Sequence, residues 1–430
     1  MVHEKMHWCL RIVLILAMGW GLSSPAYSQL PKVPDGPPVQ IQFQIVHSFG
    51  AGGDGVAPGG GVVMDNKGNL YGITTGGGAY NYGSVYELSP AGSGEWTEAI
   101  LHSFQDLDPS DGWNPIGLVI DDVGNLYGTT LFGGDGQYCP GDGCGTVFEL
   151  SPGANGVWTE SILYNFCSLP NCADGAGPRF APTLGPGGSL YGVTDLTAFQ
   201  LSPGSGGWNL NVLYTAVCKL FGCGFSSSLT LQGGDLYGEE DNGECCGLVY
   251  VLQPQQNGQW NQVVLYDFPG GQNGNTPQGG LTFHAGGLYG VTEAGGSNCV
   301  KQGGCGTVFE LTRGSGNSIN EQVLWSFGGD GGAQGINPGY NWVVFNKQGD
   351  LFGTTGLGGD GGNGVVYGMK PQQNGTWKYA VLHAFDGADG VNPDGGLAID
   401  SKGDLFGATG GGGQYGYGVA YELSPVKQAN

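Results

Sequence analysis

The chain has 430 residues, 90 of them glycine, and only 11% are charged, against about 25% in an ordinary globular domain. Glycine at this density without an every-third-residue period excludes collagen, and 39% hydrophobic with 11% aromatic residues excludes a disordered chain. A formal net charge of -23 would repel a phosphate backbone or an anionic membrane surface, so nucleic acid is no expected partner.

Residues 1–28 read as a secretory signal peptide: Lys5 and Arg11, an apolar run from Ile12 to Met18 and on to Leu22, then Ala26-Tyr27-Ser28 as a small-x-small cleavage site, with cleavage expected after about Ser28. No later segment is apolar for the roughly 20 residues that a membrane-spanning helix requires. The expected mature chain, 29–430, is therefore secreted, extracellular or periplasmic, without membrane insertion, and monomeric. Ten of the 11 cysteines lie beyond the leader, and export with even pairing argues for disulfides. Local spacing pairs Cys139 with Cys144, Cys167 with Cys172, Cys218 with Cys223 and Cys299 with Cys305. Cys245 and Cys246 are adjacent, and they pair either with each other or elsewhere. The four separated pairs have four or five intervening residues and no histidine beside them, which disfavours zinc.

A Leu-aromatic-Gly signature then recurs seven times, from Leu70-Tyr71-Gly72 to Leu405-Phe406-Gly407, on average about every 56 residues. In one unit, Gly117 to Asp121 is a first strand, Leu126 to Thr130 a second, Thr146 to Leu150 a third and Ile162 to Phe166 a fourth. Four short antiparallel strands make one blade, so the expected fold is all-β: a single seven-bladed β-propeller over 29–430. Tyr86, Phe148, Phe199, Tyr250, Phe309, Tyr367 and Tyr421 mark the third strands, and Trp96, Trp158, Trp208, Trp260 and Trp377 open fourth strands. These aromatics are expected between blades. The chain enters on a fourth-strand piece, Ile45 to Phe49, and leaves after a third-strand piece, Val419 to Leu423. The N-terminal strand thus completes the last blade and removes two exposed sheet edges.

The series Gly-Asn-Leu-Tyr-Gly-Thr-Thr, Gly-Thr-Val-Phe-Glu-Leu-Ser-Pro and Trp to Leu-Tyr-Asn-Phe, at 124 to 166, resembles the GloVer tandem repeat of secreted bacterial "choice-of-anchor" proteins, and its layout is similar to kelch blades. The resemblance covers nearly all of the chain after the leader. It implies export and an array of repeats, and it carries no catalytic residue.

In such a blade the loop between strands two and three and the connection from strand four to the next blade emerge on one face. All ten of those cysteines fall in these two loop types. Each short staple is worth roughly 2 kcal/mol by loop entropy, and ordering a loop is preorganisation for binding. Trp113, Tyr138 and Tyr340 stand outside the repeat positions and are candidates for stacking on a sugar ring; Asp111, Asp174 and Arg179 complete the candidate ligand set. A recurring Asp-Gly-x-x-Pro places Asp54, Asp111, Asp174 and Asp389 before first strands. The four could ring the channel mouth and hold Ca²⁺, the one cofactor considered, or each could cap its own turn. Blade four departs from the repeat with Glu239-Glu240-Asp241, which is either a solvated acidic loop or, through carboxylates raising one another's pKa, the seat of a general acid. His47, His102 and His383 share one fourth-strand position with Tyr164, Tyr214, Tyr266 and Trp325 and read as structural, and no nucleophile elbow or phosphate loop is present. The expected role is a binding or cell-envelope interaction module for a neutral glycan or a protein. The alternatives are a glycan-active hydrolase using the loop carboxylates and a purely structural surface repeat protein.

Overall fold

Alternating apolar and small residues between glycine-rich turns fold into seven antiparallel sheets in the computed structural model. It describes residues 41–425 except 52, 106–110, 140, 218–222, 242–245, 298 and 300–303. The leader read at 1–28, Cys218 and Cys245 lie outside the described residues. Blade 1 consists of Gly55–Met64, Leu70–Gly77, Ser84–Gly92 and Glu95–Ser103, and blade 2 of Gly112–Ile120, Leu126–Gly133, Thr146–Pro152 and Trp158–Asn165. In blades 3, 6 and 7 only two residues of the first strand pair, Thr183–Leu184, Val344–Phe345 and Ala398–Ile399. In blades 4 and 5 the first strand is split in two, which makes those sheets five-stranded. Among the described residues there is no α-helix. In blade 7 the N-terminal strand Ile41–Ser48 pairs antiparallel with Val419–Pro425, Ile45 opposite Tyr421, and closes the ring as expected.

The Leu-aromatic-Gly signature has a steric cause. The ring of the third-strand aromatic lies across the glycine of the second strand: a Cβ on Gly72 would meet Tyr86 Oη at 2.2 Å, and one on Gly128, Gly192, Gly290 or Gly353 would meet the facing ring at 2.4 to 2.5 Å. The aromatic itself is fully buried in every blade. From the preceding blade a phenylalanine just beyond the fourth strand packs against it. Six such contacts are Phe49–Tyr86, Phe104–Phe148, Phe166–Phe199, Phe268–Phe309, Phe327–Tyr367 and Phe385–Tyr421, with centroids 4.9 to 5.2 Å apart. Between blades 3 and 4 the phenylalanine position holds Ala216, and Phe225 of the next first strand reaches Tyr250 at 5.8 Å instead. The tryptophans that open fourth strands meet the second-strand aromatic of the preceding blade edge-on at 6.0 to 6.4 Å, as in Tyr71–Trp158 and Tyr127–Trp208.

The Asp-Gly-x-x-Pro motif makes the corner between blades. The residue before the proline takes a left-handed backbone, with φ 54° to 60° at Ala57, Asn114, Thr276, Asn337 and Asn392. Its N–H bonds the carbonyl of the preceding blade's loop between strands two and three, as from Asn114 to Tyr82 and from Ala57 to Tyr417. The proline ring then covers the next glycine of that loop. A Cβ on Gly418, at φ +102°, would stand 2.6 Å from Pro58 Cδ and 2.2 Å from the Thr409 carbonyl.

Two outcomes test this packing. Gly353→Ala places a methyl group into the Tyr367 ring and should cost about 1–3 kcal/mol in denaturant unfolding, the usual range for overpacking. Removal of Ile41 to Phe49 leaves blade 7 with three strands and Tyr86 without its partner ring; the melting temperature should fall by more than about 10 °C, and an unchanged melt would refute closure by this strand.

Candidate functional site

The corner carboxylates are each engaged within their own corner. Asp54 accepts the Gly55 and Gly50 N–H groups at 2.6 and 3.1 Å and faces His47 Nε2 at 3.0 Å. Asp111 accepts from Gly112 at 2.8 Å and Gln105 at 3.1 Å. Asp174 takes the N–H groups of Ser168 and Leu169 and the Tyr164 hydroxyl, at 2.8, 3.1 and 2.8 Å. Asp389 takes the Asp386 N–H and faces His383 Nε2, both at 2.8 Å. The four therefore do not ring the channel mouth. Each turns back to the fourth strand of the preceding blade, and among the described residues no two share a cluster of potential ligand atoms. The cause is capping: a carboxylate beside the free backbone N–H groups of its turn is stabilised by those donors.

The shared fourth-strand histidine position belongs to the same corners. His47, Asp54 and Glu98 come from blade 7, the corner and blade 1, and His102, Asp111 and Glu160 repeat the arrangement one blade on. Burial and the adjacent Asp54 push Glu98 up to about 8. Burial opposes ionisation of Asp54, but bonds with His47, Glu98 and Gly55 outweigh it and hold the carboxyl below its usual range. Burial lowers and the facing carboxylates Asp111 and Glu160 raise His102, and the carboxylates win.

Blade 4 has Cys223 where four other corners have Asp and two have Asn273 and Gln334, and the Glu-Glu departure compensates. Glu240 replaces the threonine of six other blades, and its carboxylate accepts Gln262 Nε2 at 2.5 Å while Gln262 accepts the Tyr214 hydroxyl at 2.9 Å. Glu239 and Glu240 are thus not a solvated acidic loop; they are 0% and 6% exposed. They also do not form a facing pair. Successive strand residues project to opposite faces, Glu240 toward the junction with blade 3 and Glu239 toward Ser227 and the Gly280 backbone. Burial pushes Glu239 up to about 8 against the opposing pull of those two donors, so desolvation, not a neighbouring carboxylate, is the cause. Asp241 lies at the edge of an open recess beside Arg179, Asp195 and Ser226.

At the propeller axis a cavity of about 140 Å³ takes wall residues from every blade: Gly60, Gly117, Arg179, Ser228, Gly279, Tyr340 with Trp342, and Asp394. Small residues on the inner strands let the blades approach; a Cβ on Gly61 would meet the Gly395 carbonyl at 2.0 Å. Trp342 lies flat against Gly396, and the buried Asn341 side chain holds that edge by accepting the Gly395 and Gly396 N–H groups at 2.6 and 3.0 Å. Burial pushes Asp394 up to about 6, with Asn392 pulling the other way. Arg179 is paired with Asp195 at 2.6 Å, and Tyr340 stands 59% exposed at the rim.

Of the residues singled out from sequence, the axis therefore unites Arg179 and Tyr340. Trp113 stacks instead on its cross-strand partner Phe132 at 4.3 Å. Tyr138 is 43% exposed in the blade 2 loop, and its N–H bonds the Cys167 carbonyl. Asp111 and Asp174 are corner caps. Sequence reasoning passed over Asp394, which follows the last corner proline, and the exposed tyrosines Tyr80, Tyr415 and Tyr417, whose shared signal is a tyrosine inside the loop between strands two and three. The disulfides Cys139–Cys144, Cys167–Cys172 and Cys299–Cys305 form on this same face. Cys223 and Cys246 are also disulfide-bonded.

Seven four-stranded units, a strand-swapped closure and a small polar-rimmed axial cavity define a seven-bladed β-propeller with one loop-bearing face. The chain belongs to the Gloeobacter/Verrucomicrobia repeat family, whose profile matches residues 36–245 and 226–430. Among solved structures it is similar in fold to a protein assigned as a 6-phosphogluconolactonase from Bacteroides fragilis, at 15% identity and TM-score 0.50 over 82% of this chain and 88% of that one. A gluconolactonase from Xanthomonas campestris matches at 12% identity and TM-score 0.41 over 89% of each chain. No curated protein matches.

Glu239 gives the protein a pH dependence of known sign. Its folded pKa lies above its ordinary value of 4.5, so its contribution is fully present below that value and is lost as pH rises toward about 8. Glu239→Gln should melt higher than the parent at pH 8 to 9, and the gap should close toward pH 5; a gap independent of pH would contradict the assignment. Asp174→Ala strands two N–H groups and a hydroxyl in a buried corner and should cost about 2–4 kcal/mol in chemical denaturation.

Proposed function

We propose that the protein is an exported binding module whose loop-bearing face recognises a neutral glycan at the axial cavity. The observation that carries this reading is the cavity itself, walled by residues from all seven blades and rimmed by an exposed tyrosine. About 140 Å³ is below the 300–1,000 Å³ of a drug-sized site, which suits a terminal sugar ring or a single side chain. Tyr340 and Trp342 offer the apolar ring faces and Asn341, Asp394 and Ser228 the nearby polar groups of a sugar site. Its one arginine is already paired with Asp195, and the chain carries -23 overall, so nothing favours an anionic ligand. Export rests on the leader and on the disulfides, which persist in oxidising compartments. The opposite projection of Glu239 and Glu240 weighs against a hydrolase built on that pair, which needs two carboxyl groups about 5–10 Å apart across a cleft.

The oxidised protein should bind members of a broad neutral-glycan array saturably, and no reducing sugar should appear in the supernatant. Tyr340→Ala should weaken binding at least about tenfold, since stacking aromatics are typical hot spots, while leaving the melting temperature unchanged. Sugar release would promote the hydrolase, and binding indifferent to Tyr340 would move the site away from the axis.

A further inference from the structure

The seven inter-blade corners are chemically unequal. Each brings together the residue two before the junction phenylalanine (Ala216 in blade 3), the residue before the corner glycine, and the residue two after the tryptophan or isoleucine that opens the next fourth strand. Five corners combine Tyr164, Asp174 and Leu210; Tyr214, Cys223 and Gln262; Tyr266, Asn273 and Glu321; Trp325, Gln334 and Tyr379; and His383, Asp389 and Phe43. These are hydrogen-bonded or stacked pairs, such as Asn273 Nδ2 donating to Glu321 at 2.8 Å and Phe43 lying flat on His383 at 3.8 Å. The remaining two corners each present an imidazole and two carboxylates.

We propose that these two corners are divalent transition-metal sites, one formed by His47, Asp54 and Glu98 and the other by His102, Asp111 and Glu160. In each trio one ligand atom per residue lies within 4.8 Å of the other two. His47 Nε2 is 3.0 Å from Asp54 Oδ2 and 3.8 Å from Glu98 Oε1. His102 Nε2 is 3.6 Å from Asp111 Oδ1 and 3.5 Å from Glu160 Oε2. Ligands bound tetrahedrally to zinc at about 2.0–2.2 Å stand roughly 3.3 Å apart, and the four separations fall within about half an ångström of that span.

At the second corner His102 Nε2 is buried and makes no hydrogen bond, both facing oxygens lying beyond good hydrogen-bond reach; an ion shared with those carboxylates gives this nitrogen a partner. The ligands are also held in place. Backbone N–H groups fix Asp54 and Asp111, as outer-shell partners do in metal sites. Phe49 and Phe104 pack edge-on against the imidazoles at 4.7 and 4.6 Å. Each histidine side chain keeps about a fifth of its surface exposed, so each corner lies close to solvent. With the imidazole neutral and both carboxyls ionised, the state that ligation requires, a trio carries -2, the charge that a divalent ion cancels. A nitrogen donor and three protein ligands select zinc or a similar transition ion over Ca²⁺, which takes six to eight oxygens. These sites lie at the outer corners and are independent of the axial cavity.

The test is calorimetric titration of the purified, chelator-treated full chain with Zn²⁺. About two ions should bind per chain, Glu98→Gln and Glu160→Gln should each remove one, and the double variant should remove both, while His383→Ala leaves two. Zn²⁺ should raise the melting temperature of the parent and not that of the double variant, whose fold is checked by its far-ultraviolet dichroism. A crystal soaked in Zn²⁺ should show anomalous density at both corners, which holds even if a variant misfolds. Parent stoichiometry below one, two ions retained by the double variant, anomalous density elsewhere only, or equal binding of Ca²⁺ would overturn the proposal.

Discussion

The contact on which everything else depends is the aromatic ring laid over a second-strand glycine and met from behind by a ring of the neighbouring blade. A single four-stranded sheet has two apolar faces and cannot bury either alone. The glycine lets the third-strand ring lie flat in its own sheet, so each blade offers a smooth face, and Phe104 or Phe166 of the blade before fills the remaining gap. Aromatic pairs of this kind add about 0.5–1.5 kcal/mol each beyond buried area. With one at six of the seven junctions, the ring is stable only when closed, which is why the N-terminal strand must bring Phe49 to Tyr86.

The corners divide a second task. Proline over glycine sets the spacing of successive blades, and the capping carboxylate satisfies the N–H groups that the turn leaves behind. At Cys223, one of three corners without the capping Asp, the second strand supplies Glu240 to the same junction through Gln262 and Tyr214. A departure from the repeat that looks like chemistry is therefore a repair of the architecture. The residue beside it, Glu239, has no such role, and its burial is a cost that rises with pH.

Stability is thus concentrated in the blade interfaces and outer corners, leaving the axis and one set of loops for recognition. Glycine on the inner strands narrows the channel to a small cavity, and the staples and tyrosines lie on the loops that open beside it. The plain turns of the opposite face carry no such features. A rigid ring that presents variable loops is the usual way a propeller separates scaffold from site.

The repeat spacing, the strand order, the closing strand and three of the disulfide pairs were legible in the amino-acid sequence, because period, chain ends and local cysteine spacing are one-dimensional properties. So was the role of the repeated aromatics, since a residue present in every unit serves the unit. What only the tertiary structure decided is which distant residues meet. Asp54 and Asp111 lie far from Glu98 and Glu160 in the chain but face them across a corner, and Arg179, Tyr340 and Asp394 converge only because a closed ring brings seven first strands to one axis. Burial was equally hidden: Glu239 and Glu240 are charged residues in a glycine-rich segment, and only packing against two neighbouring blades removes them from water.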